Sequence, residues 1–265
     1  MAILISTHPS KVYSTPFIYY PIEKCANSFL SNICVQLSIL NPGSTCGGYN
    51  IYDDQSRKFY EDKFFGGVAN FSEPIENELH LATAQTLHYF YSKVFLKNAF
   101  QFTFVRHPLD RFVSAWIHGS IRPPLGVPSI TFNITMSTDE MISTFNKFVD
   151  SFFNGINENL KGNPHFGRYL SCLPRNLEDL DFVGKLENFN NDLEYVINTI
   201  WESDKEIASN LVRDLLLESD EQKNLKGHNT KHLRKGISME EFYFDNSKDM
   251  VKNYYKEELE AFGYE

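Results

Sequence analysis

The sequence predicts an α/β fold with a central, mainly parallel sheet. Short runs of aromatic and β-branched residues, such as 17–20 and 99–105, lead through loops into stretches with helical periodicity. Strands that alternate with helices in this way are typical of parallel sheets flanked by helices. The chain has 265 residues, of which 42% are hydrophobic, and it shows no clear boundary. We therefore expect a single domain over residues 1–265.

The first predicted strand–loop–helix unit covers residues 17–40. The run FIYY at 17–20 predicts a short buried strand, and PIEKC forms the turn after it. Apolar residues then recur at helical spacing, namely Phe29, Leu30, Ile33, Cys34, Leu37 and Leu40. Lys24 and Ser28 therefore lie where a strand ends and a helix begins.

The second predicted unit covers residues 99–118. Aromatic and polar residues alternate in AFQFTFV, which indicates a strand, and Pro108 suits the first turn of a helix. Leu109, Phe112, Val113 and Trp116 then follow at i, i+3, i+4 and i+7. This unit repeats the arrangement of the first one, with Arg106 at the end of the strand and Ser114 on the helix.

The rest of the chain continues the alternation of helices and strands. The capping box SMEE at 238–241 predicts a helix start, and DFVGK within 180–186 predicts another strand. Further helices are expected at 81–97, 138–155, 190–202, 204–218 and 247–262, and loops at 119–130 and 223–236.

Composition excludes several classes of partner. The net charge of −9 argues against a nucleic acid or an anionic membrane surface as partner. No stretch is long and apolar enough for a membrane helix, and the first residues lack the basic region of a signal peptide. If the chain is complete, we expect it in the cytoplasm. The four cysteines show no zinc spacing, and no metal site is expected.

Both strand-to-helix turns combine a cation with a hydroxyl group. Ligands of open parallel sheets bind at the carboxyl ends of the strands, where helix N-termini favour anions. Lys24 with Ser28, and Arg106 with Ser114, could thus hold a ligand that carries two separate phosphates. The P-loop pattern GxxxxGK[ST] is absent, which disfavours an ATPase or an ordinary kinase.

These two turns also carry a family resemblance. IEKCANSFL at 22–30 resembles the 5′-phosphosulfate-binding turn of sulfotransferases that use 3′-phosphoadenosine 5′-phosphosulfate (PAPS). FTFVRHPLDRFVSAW at 102–116 resembles their 3′-phosphate-binding segment, with the pattern V-R-x-P-x-x-R-x-x-S-x-Y/W. The segments 79–87, 181–196 and 254–264 resemble the branch of carbohydrate sulfotransferases that includes the chondroitin, dermatan and heparan 2-O enzymes and bacterial relatives.

The resemblance implies a P-loop-NTPase-like, three-layer sulfotransferase fold that uses PAPS without a metal and sulfates a hydroxyl group of a carbohydrate. It implies that Lys24 is catalytic beside the bridging oxygen, that Arg106 and Ser114 bind the 3′-phosphate, and that His80 is the base. The 5′-phosphosulfate would be bound by Lys24, Cys25, Ala26, Asn27, Ser28 and Phe29. Weaker candidates are His165 and Glu187 for the base, and Lys231, Arg234 and Lys235 for contacts with PAPS or an anionic glycan.

Several alternatives stay open. Glu23 stands where the family has a proline, and Asn27 and Ser28 depart from its pattern. A catalytically inactive relative that binds a glycan or a nucleotide is therefore one alternative, and a divergent nucleotide kinase is another. Arg106 has a structural interpretation as the ion-pair partner of Asp110, four residues along the helix. Arg111 is expected to form an architectural ion pair and not to contact a ligand.

Overall fold

The structure is a computed structural model. It describes residues 2–6, 17–26, 30, 79–83, 100–121, 133, 135–155, 157–174, 176–200, 206, 210, 213 and 232–265. The chain forms two compact units built from interleaved segments. The sheet unit comprises Met1–Ile22, Ala26–Phe104 and Cys172–Leu217, and the helical unit comprises Glu23–Cys25, Val105–Ser171 and Glu218–Glu265. The expectation of a single domain stays a prediction.

The sheet unit contains a five-stranded sheet in the order β3-β1-β2-β4-β5. The strands are β1 Ala2–Ser6, β2 Phe17–Tyr20, β3 Leu79–Thr83, β4 Phe100–Val105 and β5 Phe182–Lys185. β2 and β4 are parallel neighbours, whereas β1 runs antiparallel to both β2 and β3. The α/β class is confirmed, and the two predicted strand–loop–helix units supply the parallel pair. The sheet is therefore mixed, with its antiparallel pairs on the side of β1.

Aromatic packing and side-chain hydrogen bonds connect β2 with β4. The rings of Tyr19 and Phe102 stack with centroids 5.1 Å apart. Thr103 donates its hydroxyl hydrogen to the carbonyl of Tyr20 at 2.7 Å, and the Tyr20 hydroxyl donates to Gln101 at 2.8 Å. These cross-strand contacts fix the register that places the ends of both strands side by side.

The sheet unit also contains α3 Phe189–Ile200 and the short 3₁₀ helices Leu177–Asp179 and Leu186–Asn188. The helical unit contains α1 Pro108–Ile121, α2 Thr138–Asn154, α4 Met239–Phe242, α5 Asp245–Tyr254 and α6 Lys256–Phe262. Its short 3₁₀ helices are Glu158–Gly162 and His232–Arg234, and a further one covers Tyr169–Cys172. None of the helices in the described residues is long and apolar enough to span a membrane.

An aromatic core holds the helical unit together. Phe112 of α1 lies at its centre, with its ring 5.1 Å from that of Phe152 and 5.4 Å from that of Phe166. Trp116, one turn later on the same face of α1, packs its ring 5.3 Å from that of Phe145. The apolar stripe that the sequence predicted for residues 109–116 is thus the buried face of α1.

The predicted elements at 17–20, 99–105, 108–118, 138–155, 180–186 and 190–202 are confirmed to within a few residues. The capping box at Ser238 is also present, although the helix that it opens is only four residues long. The predicted elements at 119–130, 204–218 and 223–231, and the helix beyond Leu30, lie wholly or mostly outside the described residues.

Two predicted helices were wrong in part. The helix expected at 81–97 begins as a strand, because residues 79–83 pair with β1 along its full length. Residues 84–97 lie outside the described part. The helix expected at 247–262 is two helices, α5 and α6, that meet at Tyr255, whose φ of −101° and ψ of 22° leave the helical region. The buried Tyr255 hydroxyl donates to the carbonyl of Phe166, which ties this junction to the core.

Candidate functional site

The turn after β2 has an unusual backbone. Lys24 and Ala26 have φ angles of 67° and 55°, in the left-handed region that normally favours glycine. For a residue with a side chain this conformation costs about 1–2 kcal/mol. Phosphate-binding loops use glycine for such conformations, so this turn adopts a glycine-like backbone without any glycine. Strain of this kind is concentrated at functional sites.

A helical hydrogen bond follows the turn immediately. The N–H of Leu30 donates to the carbonyl of Ala26 at 3.0 Å, and Leu30 is helical. Lys24 is half-buried and the thiol of Cys25 is buried. The predicted ligands Asn27, Ser28 and Phe29 lie outside the described residues. Among the described residues, this part of the site therefore consists of the strained turn that carries Lys24 and of the helical residue Leu30.

Arg111 holds this turn in place. Its side chain is only 1% exposed, and its Nε donates to the carbonyl of Glu23 at 3.0 Å. The other guanidinium nitrogens donate to the carbonyls of Gly167 and Pro164 at 3.0 and 2.9 Å. Arg111 thus fixes the backbone directly before Lys24 against the 164–167 turn. Arg111 therefore has the expected architectural role, but its partners are backbone carbonyls and the expected ion pair is not among its described contacts.

The turn after β4 carries a second cluster of charges. Arg106 and Arg234 each donate to a different carboxylate oxygen of Asp110, and Arg234 also donates to the Asp110 carbonyl at 3.1 Å. Although burial raises it, the two guanidinium groups hold the pKa of Asp110 below its ordinary value. Two cations share one carboxylate, so this cluster has a surplus positive charge at the start of α1.

The contact between Arg106 and Asp110 that the structural interpretation predicted is therefore present. It does not remove Arg106 from consideration as a ligand, because 17% of its side chain remains exposed and the cluster keeps its surplus charge. Ser114 lies on α1 two turns after Arg106, and it is buried. The sequence did not reveal the role of Arg234, which pairs with a carboxylate 124 residues away.

The remaining candidates have different positions. His80 lies on β3 opposite Ile5 of β1, in the sheet unit. Glu187 is exposed in the 3₁₀ helix after β5. Lys235 is exposed, and its ammonium group donates to the carbonyl of Met136. Lys231 lies outside the described residues. The roles that the sequence suggested for these residues stay predictions.

His165 lies beside the lysine-bearing turn. Its Nδ1 is 3.8 Å from a carboxylate oxygen of Glu23, and its ring centroid is 5.2 Å from that of His118. Burial and the nearby charges of Lys24 and Arg111 lower the pKa of His165 to about 4. The imidazole is therefore neutral at pH 7, and its approach to Glu23 is not an ion pair there.

No group of three or more histidine, cysteine or acidic side chains in the described part of the chain is arranged to hold a metal ion. The helical unit carries two groups of positive charge. It offers a lysine on a strained turn and an arginine cluster at a helix start, each fixed by buried contacts.

Comparison with known proteins gives one match. A family model described as the sulfotransferase family matches residues 13–265, which is nearly the whole chain. The search of characterised proteins and the search of solved structures each give no significant match.

Proposed function

Because the chain belongs to the sulfotransferase family, we propose that it moves the sulfuryl group of PAPS to a hydroxyl group of a carbohydrate. The observation that supports PAPS as donor is the pair of cationic turns, one with Lys24 and one with Arg106. PAPS carries a 5′-phosphosulfate and a 3′-phosphate on one ribose, so it needs two anion-binding places. Lys24, Arg106 and Ser114 all belong to the helical unit.

The positive charges of the described residues suit the phosphate groups of this donor. Lys24 would offset the negative charge that develops on the 5′-phosphate as the sulfuryl group leaves, which stabilises the transition state. Arg106 would bind the 3′-phosphate together with Ser114. Arg106 and Arg234 share the single negative charge of Asp110, so positive charge remains for a charge-assisted contact between Arg106 and phosphate.

The acceptor hydroxyl group needs a base, and His80 is the candidate that the family resemblance suggests. A neutral histidine can accept a proton near pH 7. The carbohydrate nature of the acceptor rests on the resemblance to the glycan-modifying branch alone. Arg234 and Lys235 lie in a basic segment near the start of α4, and an anionic glycan would be attracted to such a segment.

Two alternatives make different predictions. A catalytically inactive relative would bind PAPS without turnover, and the departures at Glu23 and Asn27 motivate it. A divergent nucleotide kinase would bind ATP in a magnesium-dependent manner. The strained, glycine-free turn disfavours the kinase, because a lysine with a left-handed backbone replaces the glycine-rich loop that wraps a triphosphate.

The proposal is tested by incubating the protein with radiolabelled PAPS and a panel of desulfated glycans, and by following label transfer to polymer. We expect transfer to at least one glycan. Lys24→Met removes the charge that faces the leaving phosphate, so it should lower the rate by about 100-fold or more.

Lys161→Met is the matched control, because Lys161 belongs to the same unit but pairs with Glu158 at the surface. It should leave the rate within about twofold of wild type. Binding of PAPS without transfer to any acceptor or to water would favour the inactive relative. Magnesium-dependent ATP binding without PAPS binding would contradict the proposal.

A further inference from the structure

Glu23 and His165 form a pair that the family resemblance does not explain. Glu23 immediately precedes Lys24, at the position where the resembling sulfotransferases have a proline. Its carboxylate approaches His165 Nδ1 to 3.8 Å, and its carbonyl is fixed by Arg111 at 3.0 Å. The same arginine binds the carbonyls of Pro164 and Gly167, which flank His165. One buried guanidinium therefore holds the backbone of Glu23 and the backbone on both sides of His165.

The two edges of the His165 ring differ in their environment. Nδ1 is shielded from solvent and has no hydrogen-bond partner, whereas 16% of the side chain remains exposed. Because Nδ1 itself is buried, the exposed surface lies on the other atoms of the side chain, which include the Nε2 edge of the ring. The N–H of His165 donates to the side chain of Asn163 at 2.9 Å, which fixes the backbone of this turn. A ring with one edge toward a carboxylate and the other accessible is the arrangement that a general base requires.

We propose that His165, rather than His80, is the base of the sulfuryl transfer and that Glu23 is its positioning residue. This inference rests on the proposed function. His165 takes the proton of the acceptor hydroxyl group on Nε2, while the negative charge of Glu23, 3.8 Å from Nδ1, stabilises the imidazolium. The acceptor O–H bond breaks, its oxygen forms the new bond to sulfur, and the bond from sulfur to the 5′-phosphate oxygen breaks. The leaving phosphate oxygen keeps that electron pair, and His165 holds the proton.

The charges around His165 make its basicity depend on the donor. Lys24 and Glu23 face it from the turn after β2, and Arg111 and His118 face it from α1. The positive charges of Lys24 and Arg111 lower the proton affinity of His165 when no anion is bound beside them. A bound phosphosulfate would offset the charge of Lys24 and raise the proton affinity of His165. The base then becomes effective only when the donor is in place.

The inference is tested by NMR on protein with labelled histidine, using adenosine 3′,5′-bisphosphate (PAP) as the probe. The chain has 8 histidines, and the His165 signal is assigned by its loss in His165→Gln. We expect the pKa of His165 to rise by at least about one unit when PAP is saturating. In Glu23→Gln the pKa with PAP should be lower than in wild type, because the carboxylate no longer stabilises the imidazolium.

Turnover gives a second readout. His165→Gln should lower the single-turnover transfer of sulfuryl to acceptor or water by about 100-fold or more, with PAP affinity unchanged within about threefold. Glu23→Gln should lower the rate less and shift the acid limb of its pH profile. Lys161→Met is the control, because Lys161 pairs with Glu158 at the surface of the same unit, and it should keep both rate and affinity. Thermal unfolding of each variant, and His165→Asn as a second substitution, separate these effects from misfolding.

These experiments distinguish failure of this inference from failure of the proposed function. If wild type does not bind PAP, both the proposed function and this inference are wrong. If wild type binds PAP but the pKa of His165 does not move, this inference is wrong by itself. The same holds if His165→Gln keeps its rate, or if His80→Gln loses the rate and His165→Gln does not.

Discussion

Asp110 controls the charge at the start of α1, because Arg106 and Arg234 both donate to its carboxylate. The pair of arginines lowers the pKa of Asp110 in the folded protein. The carboxylate therefore stabilises the fold at pH values above the ordinary carboxyl range. This contribution is lost as the pH falls below about 4 and the group becomes protonated.

We predict that Asp110→Asn lowers the free energy of unfolding by about 1–3 kcal/mol at pH 7, because it leaves two guanidinium groups without a counter-charge. The loss should be smaller at about pH 3 than at pH 7, because the wild-type carboxyl becomes protonated as the pH falls through its lowered pKa. Urea unfolding at both pH values measures this difference. Asp249→Asn, an exposed change on α5, should stay within about 0.5 kcal/mol of wild type at either pH. A loss for Asp110→Asn that is equal at both pH values would contradict the ion-pair account.

At the scale of elements, β5 depends on a glycine. A Cβ atom at Gly184 would lie 2.5 Å from a ring carbon of Phe104, which is fully buried between the rings of Phe182 and Phe189. We predict that Gly184→Ala lowers the free energy of unfolding by about 1–3 kcal/mol, because this ring cannot move aside. Gly162→Ala is the control, since nothing lies within 4 Å of its added Cβ. Denaturant unfolding of both variants with equal results would contradict the packing described for β5.

The turn after β2 gives a prediction of almost no change in stability. Ala26→Gly removes the cost of a left-handed alanine but adds freedom to the unfolded chain, so the two effects nearly cancel. Its free energy of unfolding should stay within about 0.5 kcal/mol of wild type. Ala115→Gly, in the buried interior of α1, should cost about 1 kcal/mol or more. If urea unfolding shows that both changes cost the same, the left-handed conformation of Ala26 is wrong.

The sequence predicted the elements whose information is local. Alternation in β4 and the apolar stripe of α1 follow from patterns within a few residues, and so do the cations at both turns. The strand β3 was missed, because its partner β1 is more than seventy residues away and only pairing made it a strand. Arg234 and His165 were undervalued for the same reason. Their partners Asp110 and Glu23 are brought near by tertiary folding, and no spacing in the sequence reports such contacts.

At the scale of the whole molecule, the net charge of −9 means that any bound anion is held by local cations against an unfavourable overall field. The two cationic turns of the helical unit supply these cations, and the family match covers both of them. The central claim is therefore that this acidic chain binds a nucleotide with two phosphates through Lys24 and Arg106.

The most direct test is calorimetric titration of PAP into wild type, Arg106→Ala and Arg168→Ala. We predict micromolar binding to wild type and a loss of about 1.5–3 kcal/mol for Arg106→Ala, since one charge-assisted contact to phosphate disappears. Arg168 pairs with Glu257 at the surface of the same unit, so Arg168→Ala should bind PAP like wild type. Absence of binding to wild type, or equal affinities for all three proteins, would contradict the assignment of this site.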